Sequence, residues 1–583
     1  MRRSPRPASS LALLLALAAA PSTALACGGF FSTASPVDQA AERVIFRQTD
    51  AETVESIIDI RYAGDPNAFA WIVPVPGKAE SLSPYPVEVF EALDRATTPR
   101  LQPACAELGG IDSPSQDAGE PGAPAPDAGA EAPPPVIIQS HDVVGGYDTY
   151  TLLATDSAAL LSWLQKNGYR VPDTMAPFID LYIGQGLSFL VAKLLPGKGI
   201  EAIKPLRMVY KSGNPMVPLR LTSIAAVPEM GVKVFVLGAS RYTVADVGEL
   251  EVPQSELRYD NDTGNGNWEA AVARTIDRNG GEGMVVDYAG SAANTQANVD
   301  PTAIVDFTDE PAAATRQALD DLFKDMAYVT RLYGRYSPEE MGRDLVFKPA
   351  PELPNVGTDR NLNPEQTVGC GNPRPEDTPC AYVACGAGGL CVMTPDDNGV
   401  LIPACACVDG ATARAMPEMT TAGNSVVACV DTRMDVNPVG PVKPPVVDPG
   451  QVDPSIDVNT PPLADPCTTS ACGPHGACLA LNGQQTCQCE HSYVAVAAVD
   501  NAGAVHVACR ASDKVPDDFY QRTLPEPKLP YPGHAALHAR ITNNGCAVTG
   551  APVETPRAPW ALFGLGLLGL GGLAARWKRR RAG

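Results

Sequence analysis

Histidine is almost missing from this chain: six occur in 583 residues, and His141 is the only one before residue 475. A Ser-His-Asp or Cys-His group, or a histidine-held zinc ion, in the N-terminal half would have to use that one imidazole. Positive charge is also in short supply, with 44 lysines and arginines against 66 acidic residues and a formal net charge of -22. With Arg2, Arg3, Arg6 and the basic residues after Ala575 set aside, the rest is more negative still. Such a surface repels nucleic acid and anionic lipid, so no nucleic acid is expected as a partner. Gly186-Leu-Ser188 opens like the turn that carries a hydrolase nucleophile, but Leu190 stands where the second glycine belongs. Ser188 therefore reads as the start of a strand. Asp260, Asp262 and Gly264 are spaced as in a calcium loop, yet Ala271 replaces the closing glutamate and leaves a polar turn. His534 and His538 are four residues apart with no third ligand near them, as in an exposed spacer. No catalytic residue, cofactor or metal ligand is assigned.

Cysteine is what the chain has in quantity, 16 in all. Cys380, Cys385, Cys391, Cys405, Cys407 and Cys429 form one set. Cys467, Cys472, Cys478, Cys487, Cys489 and Cys509 form a second in the same register, with a C-x-C in each. Small loop-rich segments of this kind hold one shape only as disulfides, which requires an oxidising compartment.

The two ends agree with export. A basic start, the apolar run Leu11 to Ala20 and Ala24-Leu25-Ala26 make a signal peptide over residues 1–26. Cleavage after Ala26 leaves Cys27 first, a candidate for lipid attachment or for a disulfide, although Ala24 stands where a lipobox prefers leucine. Residues 558–575 carry no charge, have Trp560 and Trp577 at their ends and precede a basic tail at 576–583. That pattern predicts one transmembrane helix with a cytoplasmic tail, and hence a membrane as partner. Gly564, Gly566 and Gly569 match the dinucleotide fingerprint there, but no strand precedes them and the match is false.

Between the ends, residues 27–348 suffice for one sizeable domain. Residues 113–135 form an insertion rich in Asp, Ala, Gly and Pro that cannot bury a core. Strand patterns fall around Ile57–Ile60, Phe69–Val73, Ser188–Leu194, Leu206–Lys211, Leu219–Val227 and Val232–Leu237. Helices are expected over 158–166, capped by Asp156 and ended at Gly168, and over 311–332 from the stripe Leu319, Leu322, Phe323, Met326 and Val329. Ser337-Pro338-Glu339-Glu340 offers a capping box. Strands outnumber helices without regular alternation, so the fold class is α+β. Residues 349–369 read as a linker, 370–430 and 467–510 as the two cysteine modules, 431–466 as a proline-rich spacer and 511–557 as a second spacer.

Several segments of the large domain resemble the bacterial family known as domain of unknown function 2330. They are Cys27-Gly-Gly-Phe-Phe31, Pro36 to Arg43, Phe69 to Pro76, Ala159 to Leu164 with Asn167-Gly-Tyr169, Thr330 to Tyr333 and Ser337 to Met341. The family name implies no activity, and Ser32 stands where similar proteins often carry another cysteine. The cysteine sets, including Ala471 to Cys478 and Cys487-Gln-Cys489, resemble EGF-like modules. That resemblance implies pairing of first with third, second with fourth and fifth with sixth cysteines. It also implies calcium-free modules, because the acidic and aromatic residues of calcium-binding members are missing. Asn544-Gly-Cys546, the glycine- and leucine-rich helix and the arginine cluster resemble the myxobacterial C-terminal sorting signal, which implies processing or lipid attachment at Cys546. Of the remaining cysteines, Cys27 pairs with Cys105 if it carries no lipid, and Cys105 pairs with Cys370 if it does. The function expected from all this is a membrane-anchored protein of the cell envelope that binds an extracellular protein or glycan. A structural envelope component is the alternative, and an exported enzyme a third.

Overall fold

The computed structural model describes residues 29–30, 39–60, 70–104, 136–169, 171, 175–199, 202–299, 310–369, 378–419, 425–434, 467, 472–481, 484–499 and 505–524. The expected signal peptide, the 113–135 insertion, the 435–466 stretch, the apolar span 558–575 and Cys27, Cys105, Cys370 and Cys546 lie outside these residues. Among the described residues, no helix is long and apolar enough to cross a membrane.

The large domain is strand-rich with few helices. Its main sheet has eight strands, in the order Glu249–Leu250, Met284–Ser291, Tyr328–Tyr336, Ala226–Gly238, Gln39–Gln48, Thr53–Ile60, Leu206–Lys211 and Ser81–Pro84. A second sheet has five: Gly29–Phe30, Ala70–Val75, Ser188–Leu194, Tyr147–Ala154 and Val136–Val144. Side chains alternate across a strand, and here both alternating sets are apolar. Val44, Phe46, Val232, Val234, Trp71, Val73 and Leu190 merge into one core shared by the two sheets. Ile45, Ile57, Phe235 and Leu237 point the other way, onto helices Glu88–Thr97 and Glu310–Phe323. Ile72, Phe189 and Val191 likewise pack on helices Ser157–Lys166 and Ala176–Gly184. The result is helix, sheet, sheet, helix, with apolar contact at every layer boundary. The Asp156 side chain caps its helix by accepting from the Ala159 amide at 2.7 Å, and Gly168 follows the helix with φ +80°.

Two expected elements differ. The helix over 311–332 stops at Phe323, and residues from Tyr328 form a strand. Leu319, Leu322 and Phe323 do face the core from the helix, but Val329 and Thr330 are β-branched, and they continue the sheet beside Val236 and Leu237. The strand expected over Leu219–Val227 opens as a short helix, Leu219–Thr222, and becomes extended only at Ala226.

Residues 349–369 do not hang free. Val356 exchanges two 2.9 Å backbone bonds with Ala289, Asp359–Asn361 runs parallel to Arg100–Gln102, and Thr367–Val368 runs beside Tyr259–Asp260. Leu362 and Val368 are buried. Val356 also packs on the core, so this strap carries three apolar anchors and belongs to the domain.

The two cysteine modules share their sheets. The hairpin Gly389–Pro395/Leu401–Cys407 of the first joins Tyr493–Val499/Val505–Ala511 of the second, through Cys405 opposite Ala495. The hairpin Ala411–Met419/Ser425–Asp431 of the first joins Gly476–Leu481/Gln484–Cys489 of the second, through Ala413 opposite Cys487. The contacts are reciprocal: the fourth cysteine of each module meets the alanine six residues after the fifth cysteine of the other. Ala404, Ala406, Ala413 and Ala495 are buried at this seam, where larger side chains would hold the strands apart. Two small modules with little core of their own thereby share one. Val515, Tyr520 and Leu524 pack on it and Phe519 is buried, so the part of the expected 511–557 spacer up to Leu524 belongs to the same body.

Candidate functional site: an acidic cluster where the large domain meets the first module

Met416 and Ala428 of the first module enter the core of the large domain. Around them, Arg274 donates to the Ala381 and Val383 carbonyls, Asn267 donates to Ala381, and Tyr382 donates to Asn265. Beside this contact, three carboxylates converge from three elements. Glu229 sits at a bulge in strand Ala226–Gly238, with φ +58°, where pairing to the neighbouring strand skips between Ala226 and Gly231. Asp277 lies in the last turn of helix Trp268–Arg278, and Glu340 ends the single turn Pro338–Glu340. One oxygen of each lies within 4.8 Å of the others.

The turn is held as its sequence demands. Glu340 Oε2 accepts from the Ser337 amide at 2.8 Å, and the Ser337 hydroxyl donates to Glu229 Oε1 at 3.2 Å. Glu340 Oε1 and Asp277 Oδ1 are sealed from solvent with no amide, hydroxyl or cationic donor, so the two carboxyls can bond only to each other through a shared proton; both oxygens of Glu339 next door are sealed as well. Burial, reinforced by the neighbouring carboxylates, raises Asp277 and Glu340 well above the ordinary range. Glu339 is pushed up to about 8, chiefly by burial, with Asp431 and Glu229 adding to it. Glu42, also buried, is raised by burial to about 7.

The sign of the pH dependence follows. A carboxyl whose folded pKa exceeds its unfolded value contributes stability that is full below the unfolded value and lost as pH rises through the folded one. In chelator, the melting temperature should therefore rise as pH falls from about 8 to about 5, and Glu339→Gln should flatten that slope. A melting temperature that falls over this interval contradicts the assignment.

A second set of buried charges lies under helix Glu88–Thr97. Arg43 contacts Asp59 and Glu91 at 2.6 Å each. Arg331 lies 2.9 Å from the fully buried Asp287 and 3.0 Å from Asp94, which Lys233 also reaches at 2.8 Å. Trp268 donates to Asp287 at 3.1 Å, and Arg360 crosses the Trp268 ring. Opposite charges compensate each other here, so this set holds elements together.

All twelve cysteines of the modules are bonded: Cys380–Cys391, Cys385–Cys405, Cys407–Cys429, Cys467–Cys478, Cys472–Cys487 and Cys489–Cys509, with Cα–Cα distances of 5.5 to 5.8 Å. Ser188 begins a strand and is buried. His141 is exposed on the edge of the five-stranded sheet, stacked on Tyr150 and 2.7 Å from Asp148. Asp260 accepts from the amides of Asp262 and Thr263 in a turn between two short strands. The structure brings none of these together with a reactive partner. Glu229, Asp277 and Glu340 were not singled out as a site from the sequence, because no spacing links them. The one signal was the Ser337 capping box, which accounts for only one oxygen of Glu340.

The model of a bacterial family described as "uncharacterized protein conserved in bacteria" (DUF2330) matches residues 21–348, more than half of the chain. No curated protein and no solved structure matches it.

Proposed function

Because the chain belongs to the DUF2330 family of bacterial proteins, whose description carries no activity, we propose from its own features that it is an exported protein of the cell envelope that binds another protein outside the cytoplasm. Six disulfides support an oxidising location. In this reading the modules are EGF-like in kind, residues 558–575 anchor the chain in a membrane, and Cys27 and Cys546 are processing or lipidation points. The observation that favours binding over a spacer role is the far end of the module sheet. Val400 and Leu401 at one hairpin tip and Val505 at the next are exposed at the same end of four paired strands, on a body stiffened by disulfides. Aliphatic side chains held in solvent in this way suit a protein contact.

The test is a pull-down from envelope extract with the folded protein, parent against Leu401→Asp/Val505→Asp, with a glycan array beside it. Capture of a defined protein that the variant loses, at unchanged melting temperature, supports the reading. Equal capture by both contradicts the assigned surface, and binding on the glycan array alone replaces the protein partner with a carbohydrate.

A further inference from the structure

We propose that Glu229, Asp277 and Glu340 hold a divalent cation of the calcium class, and that this ion clamps the first cysteine module onto the large domain. Calcium–oxygen distances of about 2.4 Å let one ion touch oxygens up to about 4.8 Å apart, and the three carboxylates meet that limit. Glu340 is 6% exposed, and its Oε1 is sealed with no amide, hydroxyl or cationic donor to bond it, leaving the Asp277 carboxyl as its side-chain partner. The Ser337 amide grips the other oxygen, so the carboxylate cannot turn away to find a donor. Asp277 Oδ1 is likewise sealed from any donor group, although Asp277 as a whole is half-buried. Buried carboxylates this close cannot all be ionised unless a cation or shared protons compensate them. A set made only of oxygens, without cysteine or histidine, suits a hard cation rather than zinc or copper.

A surface concavity lined by Gly281, Gly283, Tyr336, Glu340 and Arg343 touches the cluster at Glu340 alone. Gly281, at φ +75°, packs directly on Glu340, where a Cβ would lie 2.4 Å from that of Glu340. On the other side, Gly386 of the first module rests against Glu229. A Cβ on Gly386 would lie 3.6 Å from Glu229 Oε1 and 3.0 Å from the Cys429 carbonyl. An ion that fixes Glu229 therefore fixes the wall on which the module sits. The proposal does not depend on which partner the protein binds.

The test uses the full chain, stripped with chelator and titrated calorimetrically with calcium chloride and, separately, magnesium chloride. Terbium luminescence that falls in a Tyr336→Phe variant reports the location, since Tyr336 lines the same concavity as Glu340. One calcium per chain is expected, with a melting temperature that climbs with calcium concentration. Glu340→Gln and Asp277→Asn should each abolish the heat, the luminescence and the thermal shift. Their melting temperatures in chelator should stay near the parent's, because without a cation burial favours the protonated carboxyls and each variant puts an amide of the same shape in place of a neutral group. Asp262→Asn, in the polar turn, should leave binding unchanged. The proposal is overturned if the parent takes up no stoichiometric calcium, if both cluster variants still bind it, or if Asp262→Asn is the variant that loses it. If neither cluster variant folds, the parent titration alone decides.

Discussion

Arg331→Ala should lower the stability of the large domain by about 3–5 kcal/mol, the usual result of leaving one member of a buried ion pair uncompensated. Asp287 is fully buried, and its carboxyl is already pushed up by burial against the pull of Arg331. Without the guanidinium, Asp287 keeps the Trp268 hydrogen bond and the weaker pulls of Lys233 and Arg360, and Asp94 keeps Lys233. The same arginine donates to the Asp94 carbonyl and the Thr98 hydroxyl, so the C-terminal end of helix Glu88–Thr97 loses its tie to the sheet. Urea unfolding should show a lower midpoint with an unchanged slope. Arg331→Met with Asp287→Asn should recover part of the loss, because no charge is then stranded. A single variant within about 1 kcal/mol of the parent would show that the pair is solvated in solution.

Replacing Cys385 and Cys405 together by alanine should cost about 3 kcal/mol, since the bond closes a loop of sequence separation 20. Both cysteines are buried in the shared core of the modules, and Cys405 lies on the strand that meets Ala495. The loss should therefore spread beyond its own loop. Protease should cut the second module more readily even though its three disulfides are intact. Removing Cys380–Cys391, whose residues are only half-buried and whose loop separation is 11, should cost less and leave the second module resistant. Confinement of the damage to the first module in the Cys385/Cys405 variant would show that the seam contributes little.

How much could be read from the chain depends on whether the signal was local. The strand Ser188–Leu194, the strand Leu206–Lys211 and the helix behind Asp156 were legible, because alternation, capping and a terminal glycine act within a few residues. The cysteine register was legible for the same reason. The helix expected through Leu332 was misread because Leu319, Leu322 and Phe323 fit a helical stripe that Val329 extends by chance. Only pairing with Ala226–Gly238 shows that Val329 belongs to a sheet. The mutual pairing of the modules had no sequence signal beyond alanines at strand positions, which could as well have faced solvent. The acidic cluster was hidden by distance along the chain, with Glu229, Asp277 and Glu340 on separate elements. Glu340 was further disguised because one of its oxygens does the capping that its sequence announces.

The claim on which the rest depends is that the large domain and both modules form one body rather than domains strung on a spacer. A protease site placed within residues 435–466 cuts the chain between the modules without touching a disulfide among the described residues. Cleaved protein run on a sizing column without reductant or denaturant should elute as one particle of unchanged size and separate into two fragments only in denaturant. Separation of the second module under native conditions would contradict the account.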